Sequence, residues 1–278
     1  MSVSGSSPVV VVIGVGGMGK SIARRVGGGK TILLADFNEA TLNAAAEELR
    51  VDGFHVETHV VDVSKPESVR QLAQDAAATG PVVQVVHTAG LSPVQAPAQA
   101  IVAVDLVGVA VSLDAFAEVI APGGAGLVIA SMAGQMAQIT AEQEQALAHT
   151  PTAELGSLSF LAPEVLTEGT TAYGLAKRGN QLRVHAASLA WGEKGARVNT
   201  ISPGVISTPM GQQELDGPTG GLMRAMISTS GTHRIGTPED ITAAAAFLLG
   251  PDASFITGTD LLVDGGTVAA LRSGAFSM

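Results

Sequence analysis

Short runs of β-branched and aliphatic residues recur along the chain, with helical periodicity between them. Val9–Ile13, Thr31–Ala35, Val56–Val61, Val82–Val86 and Leu127–Ala130 read as apolar strands, and Arg197–Ile201 and Leu261–Val263 as two more. Runs this continuously apolar fit strands covered on both faces, as in parallel sheets. Between them, segments such as Glu39–Arg50 and Pro66–Ala78 are rich in Ala, Leu and Glu at helical spacing. The alternation predicts a single doubly wound α/β domain: a parallel seven-stranded sheet with right-handed crossovers and helices on both faces. The most apolar stretch, Ala96–Ile120, is broken by Asp105 and Asp114. It is expected to be a buried helix rather than a membrane span. Only the stretch 135–169, with Gln143, Gln145, Thr150-Pro151 and Pro163, breaks the rhythm. It reads as an insertion within the one domain.

Composition narrows the function classes. The 278 residues are 46% hydrophobic and 14% charged, which excludes a disordered chain. Aromatics are 3% against 34 glycines, so the core must be built from Val, Ala, Ile and Leu. A net charge of −10 with no basic run argues against nucleic acid as a partner. With no cysteine there is neither a disulfide framework nor a thiolate metal site, and a cytoplasmic location is expected. The N-terminus has no positively charged segment, so no secretory signal is expected. The six histidines show no metal-ligand spacing, and no metal is expected.

Two features carry the chemistry. Gly14, Gly16 and Gly19 form G-x-G-x-x-G directly after the first strand and at the start of a helix. The first glycine permits the turn, the second lets backbone approach a pyrophosphate, and the third packs helix on strand. The helix N-terminus then offers N–H groups to phosphate. Asp36 ends the second strand near the spacing at which a carboxylate takes the adenosine ribose hydroxyls; the alternative is a cap on the next helix. A carboxylate there repels a 2′-phosphate and favours NAD, while Lys20 and Arg24 leave room for NADP. Asp62, with Val63 after it, is placed to meet adenine or to cap the helix after Pro66. Farther on, Tyr173-Gly-Leu-Ala-Lys177 puts a phenol and an ammonium four residues apart on one helix face. A nearby ammonium lowers a phenol's pKa, suiting it to proton transfer between an alcohol and a carbonyl.

These pieces, in this order, resemble the short-chain dehydrogenase/reductase family over essentially the whole chain. The resemblance is carried by GVGGMG, Asp36, Asp62-Val63, HTAG at 87–90, VIASMAG at 128–134, YGLAK at 173–177, NTISPGVISTPM at 199–210, RIGTPEDI at 234–241 and FITGTDLLVDGG at 255–266. It implies a Rossmann-like fold and an NAD-dependent oxidoreductase, with NADP the less favoured cofactor. The implied catalytic residues are Ser131, Tyr173, Lys177 and Asp105. Ser131 orients the substrate oxygen, Tyr173 moves the proton, and Lys177 also holds the nicotinamide ribose. The implied cofactor set is Gly14, Gly16, Gly17, Met18, Gly19, Asp36, Phe37, Asp62, Val63, Thr88, Ala89, Gly90, Tyr173, Lys177, Pro203, Gly204, Ile206 and Thr208. Pro203-Gly204 would flank the nicotinamide, while the Ile206 backbone and the Thr208 hydroxyl would hold its carboxamide.

Four departures from the family pattern stand out. Ile13 replaces the usual threonine before a shortened glycine loop. His87-Thr88 replaces Asn-Asn, and a buried His87 bonded to backbone is expected. Asp105 replaces the catalytic asparagine, where it is expected to tune a proton relay from the lysine. Ser131 and Tyr173 lie unusually far apart, the excess being the insertion. Its apolar residues Met132, Met136, Leu158, Phe160 and Leu161 are expected to form a lid or pocket wall, with a dimer-contact arm as the alternative. A catalytically silent dinucleotide sensor and an S-adenosylmethionine-binding methyltransferase are competing readings. The substrate is expected to be a small-molecule alcohol or ketone, hydrophobic or mid-sized, and the assembly a homotetramer or homodimer.

Overall fold

The computed structural model describes residues 6–275. Its first half alternates strand and helix: β1 (Val9–Ile13), α1 (Gly17–Val26), β2 (Thr31–Asp36), α2 (Glu39–Val51), β3 (His55–Val60), α3 (Pro66–Thr79) and β4 (Val82–His87). The apolar segment follows as one continuous helix, α4 (Ala98–Ile101), a π-helical stretch (Val102–Val107) and α5 (Gly108–Val119). Then come β5 (Ile120–Ile129), α6 (Met132–Met136), α7 (Ala141–His149), α8 (Thr152–Leu155) and the long α9 (Gly169–Glu193). The chain ends with β6 (Arg197–Pro203), α10 (Pro209–Asp216), α11 (Gly220–Thr229), α12 (Pro238–Leu249), β7 (Asp260–Val263) and α13 (Thr267–Arg272).

All seven strands pair in parallel, in the order β3-β2-β1-β4-β5-β6-β7. The β1 side chains alternate between two cores. Val9, Val11 and Ile13 face α3, α5 and α9, while Val10 and Val12 face α1, α2 and α12. Burial on both sides is why the strand is apolar at every position. β3, at the sheet edge, is more exposed and reads as a mixed His-Val-Glu-Thr-His-Val sequence. β5 begins ahead of the apolar run because Pro122-Gly123-Gly124 hides its first half from any hydrophobic pattern. Within the Ala98–Val119 helix, long and apolar enough to cross a membrane, two-thirds of the apolar window is buried inside the protein.

The strand order reverses between β1 and β4, so the crevice beyond their C-terminal ends is where this architecture takes a ligand. The segments after β1, β2, β3, β4, β5 and β6 all leave the sheet along this edge.

The 135–169 segment does not close over that crevice. Leu147, Leu155, Leu161 and Leu166 pack against Ile101, Leu106, Ala172 and Leu175, with Leu158 and Phe160 at the margin of the same cluster. Arg183 of α9 donates to the Thr150 carbonyl and to the Thr152 hydroxyl, 2.6 Å in each case, and Arg178 donates to Glu144 at 2.8 Å. Of the five apolar residues expected to form a lid, only Met132 and Met136 reach the crevice. The other three turn to the flank because an apolar stripe on α9 and α4 buries them there.

Candidate active site

The glycine turn is built by contact. Gly14 has φ +89°, and a Cβ on it would meet the Ala89 backbone. A Cβ on Gly19 would strike the Gly14 carbonyl and the Thr88 hydroxyl. Thr88 donates that hydroxyl to the Gly14 carbonyl at 2.7 Å, so β4 is laced to the turn. Asp36 accepts from the Val15 N–H at 2.8 Å and from the Asn38 N–H at 2.9 Å. The cap on α2 is Asn38 rather than Asp36. Asp62 accepts from the Ser64 N–H and hydroxyl, and with Lys65 nearby its carboxyl lies below the ordinary range despite some burial.

A cavity of about 530 Å³ opens beside this turn. It gathers Gly14, Gly16, Asp36, Phe37, Asp62, Val63, Thr88, Ala89 and Gly90 from the expected set, and adds Thr41, Ser64, Leu91 and Val104. These residues fit a dinucleotide's adenosine half: a carboxylate at a strand end, a backbone groove too tight for side chains, and apolar walls. Lys20 and Arg24 are engaged elsewhere, in ion pairs of 2.6 Å with Glu48 and Asp52 of α2 and the turn after it.

A second cavity of about 380 Å³ continues from the first past Met210, which lines both. Met18, Ser131, Tyr173, Pro203, Gly204, Ile206 and Thr208 line it. Gly17 packs on Thr208, whose hydroxyl caps α10 by accepting from the Gly211 N–H at 3.1 Å. Ser131 caps α6, its hydroxyl accepting from the Ala133 N–H. α6 lies on α9 through Gly134, whose missing side chain lets it touch the backbone at Lys177-Arg178. That contact brings Ser131 to the chamber that Tyr173 lines, across 41 intervening residues of sequence, and the serine hydroxyl pulls the phenol's pKa down.

Behind Tyr173 lies a buried ion pair. Lys177 Nζ is 2.9 Å from Asp105 Oδ2 and 5.3 Å from the Tyr173 ring centre. Asp105 Oδ1 accepts from the Leu91 N–H at 2.7 Å. Asp105 sits in the π-helical stretch, a wider winding that recurs at functional sites. Burial pushes the Asp105 carboxyl up, against the pull of Lys177. Burial lowers Lys177, but Asp105 and Tyr173 outweigh it and hold the ammonium above its ordinary range. The phenol departs from expectation. Burial raises Tyr173, Lys177 pulls it down, and Asp105 and Glu214 push it up again, leaving it above its ordinary value. The lysine's charge is shared with a carboxylate, so it does not win alone.

His87 also differs. It is buried, yet neither ring nitrogen has a partner among the described residues, and burial with the Lys177 charge pushes the imidazole down to about 3. It is a neutral ring against Val128 of β5 and the helices behind the site, not a backbone-bonded one. Glu214, in the second cavity, carries no motif and was not foreseen.

The family described as short chain dehydrogenase matches residues 8–143, and the one described as enoyl-(acyl carrier protein) reductase matches 136–268. The short-chain dehydrogenase/reductase bsc3 of Alternaria brassicicola is 41% identical over 96% of this chain and 97% of its own. The D-threitol dehydrogenase of Mycolicibacterium smegmatis is 30% identical over 86% of this chain and 83% of its own. A solved actinorhodin polyketide ketoreductase variant with NADPH shares the fold, with a TM-score of 0.74 at 23% identity over 94% of this chain and 97% of that one.

Proposed function

The chain belongs to the short-chain dehydrogenase/reductase family and is an oxidoreductase, and from that premise we propose that it interconverts a secondary alcohol and a ketone with NAD(H) as the preferred cofactor. The observation that carries the reading is the Tyr173 phenol facing an apolar chamber that Ser131 also lines, with Lys177 one helical turn behind. The dinucleotide, when bound, supplies the hydride acceptor or donor. The protein's residues do the rest. Ser131 holds the substrate oxygen, Tyr173 takes its proton in oxidation and returns it in reduction, and Lys177 with Asp105 sets the phenol's acidity. Turnover of a panel of secondary alcohols and ketones, followed by nicotinamide absorbance, tests this. Tight dinucleotide binding with no turnover of any member would favour a sensor instead.

The preference for NAD is supported by Asp36 at the ribose position and by the engagement of Lys20 and Arg24 with Glu48 and Asp52. A like-charge contact costs several kcal/mol, so Asp36→Ser is expected to shift the kcat/KM ratio toward NADP by roughly a hundredfold. A wild-type enzyme that already favours NADP would overturn the preference. The protein acts as one dinucleotide-binding unit carrying the 135–169 excursion. Its assembly into a homodimer or homotetramer is in keeping with the exposed Leu189 and Phe255.

A further inference from the structure

The chamber in front of Tyr173 has a wall of unusual composition. All six methionines among the described residues line it: Met18, Met132, Met136, Met210, Met223 and Met226. Methionine is flexible and polarisable, and it suits an apolar body of irregular shape. Against this wall, Glu214 is the one charged side chain among the lining residues.

Glu214 projects from α10 into the space shared with the reacting groups. It is close enough to push the pKa of both Tyr173 and Lys177 upward. Among the described residues no cation forms an ion pair with it. Its polar neighbour is the fully buried Ser92 hydroxyl, which pulls the carboxyl's pKa downward yet makes no aligned hydrogen bond. A carboxyl set in an apolar chamber is costly unless a donor completes it. Of the other polar side chains there, Ser131 and Tyr173 serve the reacting oxygen and Thr208 caps α10; Thr170 and Thr219 are neutral hydroxyls, so Glu214 is the one anionic acceptor in the chamber.

We propose that Glu214 is a specificity-determining residue and that the substrate is an apolar alcohol bearing a second hydroxyl, which donates to this carboxyl. The assignment rests on the alcohol–ketone reading and deepens it. The donor is a hydroxyl rather than an ammonium because the positive charge of Lys177 already acts on the same carboxyl and would repel a second cation. A carboxyl accepts from a hydroxyl whether ionised or neutral, so the contact does not depend on the charge state of Glu214.

The test uses the intact enzyme with NAD and three matched probes: cyclohexanol, quinitol (its para-hydroxylated counterpart) and para-aminocyclohexanol. Quinitol is expected to exceed cyclohexanol in kcat/KM by at least about tenfold, mainly through KM, because a site built for a donor disfavours the analogue lacking it. Glu214→Leu is expected to bring that ratio to about one. Glu214→Gln, nearly isosteric and still an acceptor, is expected to keep most of it. Equal use of cyclohexanol and quinitol by the wild type would overturn the assignment, as would a ratio unchanged in Glu214→Leu or lost equally in Glu214→Gln. A preference for the amino alcohol over quinitol would overturn the choice of hydroxyl. Failure to oxidise any of the three with either nicotinamide dinucleotide would instead sink the alcohol–ketone reading, and this assignment with it.

Discussion

Tyr173→Phe is expected to lower kcat by about 10²–10⁴-fold, the usual worth of a positioned acid–base group, while leaving dinucleotide affinity nearly unchanged. The substitution removes one oxygen. The ring keeps its place on α9 at the margin of the apolar cluster with Ile101 and Leu106, and Lys177 keeps both its position over the ring face and its pairing with Asp105. Stability is therefore expected to change by less than about 1 kcal/mol, the scale of one net hydrogen bond. Parallel measurements of turnover, dinucleotide binding and thermal unfolding check this. A Phe variant with full turnover removes Tyr173 from the chemistry. Tyr173 is the only tyrosine in 278 residues, so a phenolate absorbance titration of the wild type reads this one group. Because burial and the two carboxylates outweigh Lys177, that titration is expected above the ordinary tyrosine range in the cofactor-free protein. A midpoint below it would show that the lysine dominates after all.

How much of this was readable from the sequence follows from what each feature depends on. β1 was legible because burial on both faces forces an apolar residue at every position, and a run like Val9–Ile13 then has few other readings; β2 and β4 follow the same rule with few polar interruptions. The glycine turn, Asp36 and the Tyr173–Lys177 pair were legible because their spacing is set within one turn or one crossover. What depends on packing between distant segments was not. The flank taken by Leu155 and Leu161 is chosen by an apolar stripe on α9 and α4, and apolar residues in a segment do not say which surface they will bury. His87 was expected to bond backbone, but its side chain points between helices that offer it no partner. The family resemblance placed Asp105 in the relay from Lys177, but the π-helical winding around it interrupts no periodicity, so the direct ion pair between the two was not visible in any local pattern. Glu214 lies on α10, whose register over the chamber is fixed by the turn from Ile206 to Thr208 and by the packing of α10 and α11 over the site, not by any local pattern. The chemistry of the cofactor side was local and visible; the substrate side was assembled from afar.

Asp105 is where that hidden pairing has its largest measurable consequence. Asp105→Leu leaves the Lys177 ammonium buried with no counter-charge, and breaking a buried pair in this way costs about 3–5 kcal/mol. Chemical denaturation at neutral pH is expected to show that loss. The sign follows from the lysine: its folded-state pKa lies above its ordinary value, so the stability it gains from the pair is fully present at neutral pH. That stability fades only as pH rises through the raised lysine value. Asp105→Asn is milder, since the amide oxygen still accepts from the Leu91 N–H that Asp105 holds at 2.7 Å. Its main effect is on acidity. The Asp105 carboxylate pushes the Tyr173 phenol up and shares the charge of Lys177; with an amide there, both effects relax and the phenol's pKa falls. Alcohol oxidation needs Tyr173 as a base, so its rate climbs as pH rises through that pKa. The rising limb in Asp105→Asn is therefore expected at lower pH, by about one unit, the lower end of what a neighbouring charge exerts. Below the plateau, oxidation then runs faster than in the wild type. In the reductive direction the same shift moves the falling limb to lower pH, and the variant loses rate first on the alkaline side. Profiles of kcat/KM in both directions separate this from a simple loss of packing, which lowers rates without moving either limb. Limbs that stay in place would show that the phenol does not feel this carboxylate, and Asp105 would then be a fold-stabilising partner of Lys177 alone.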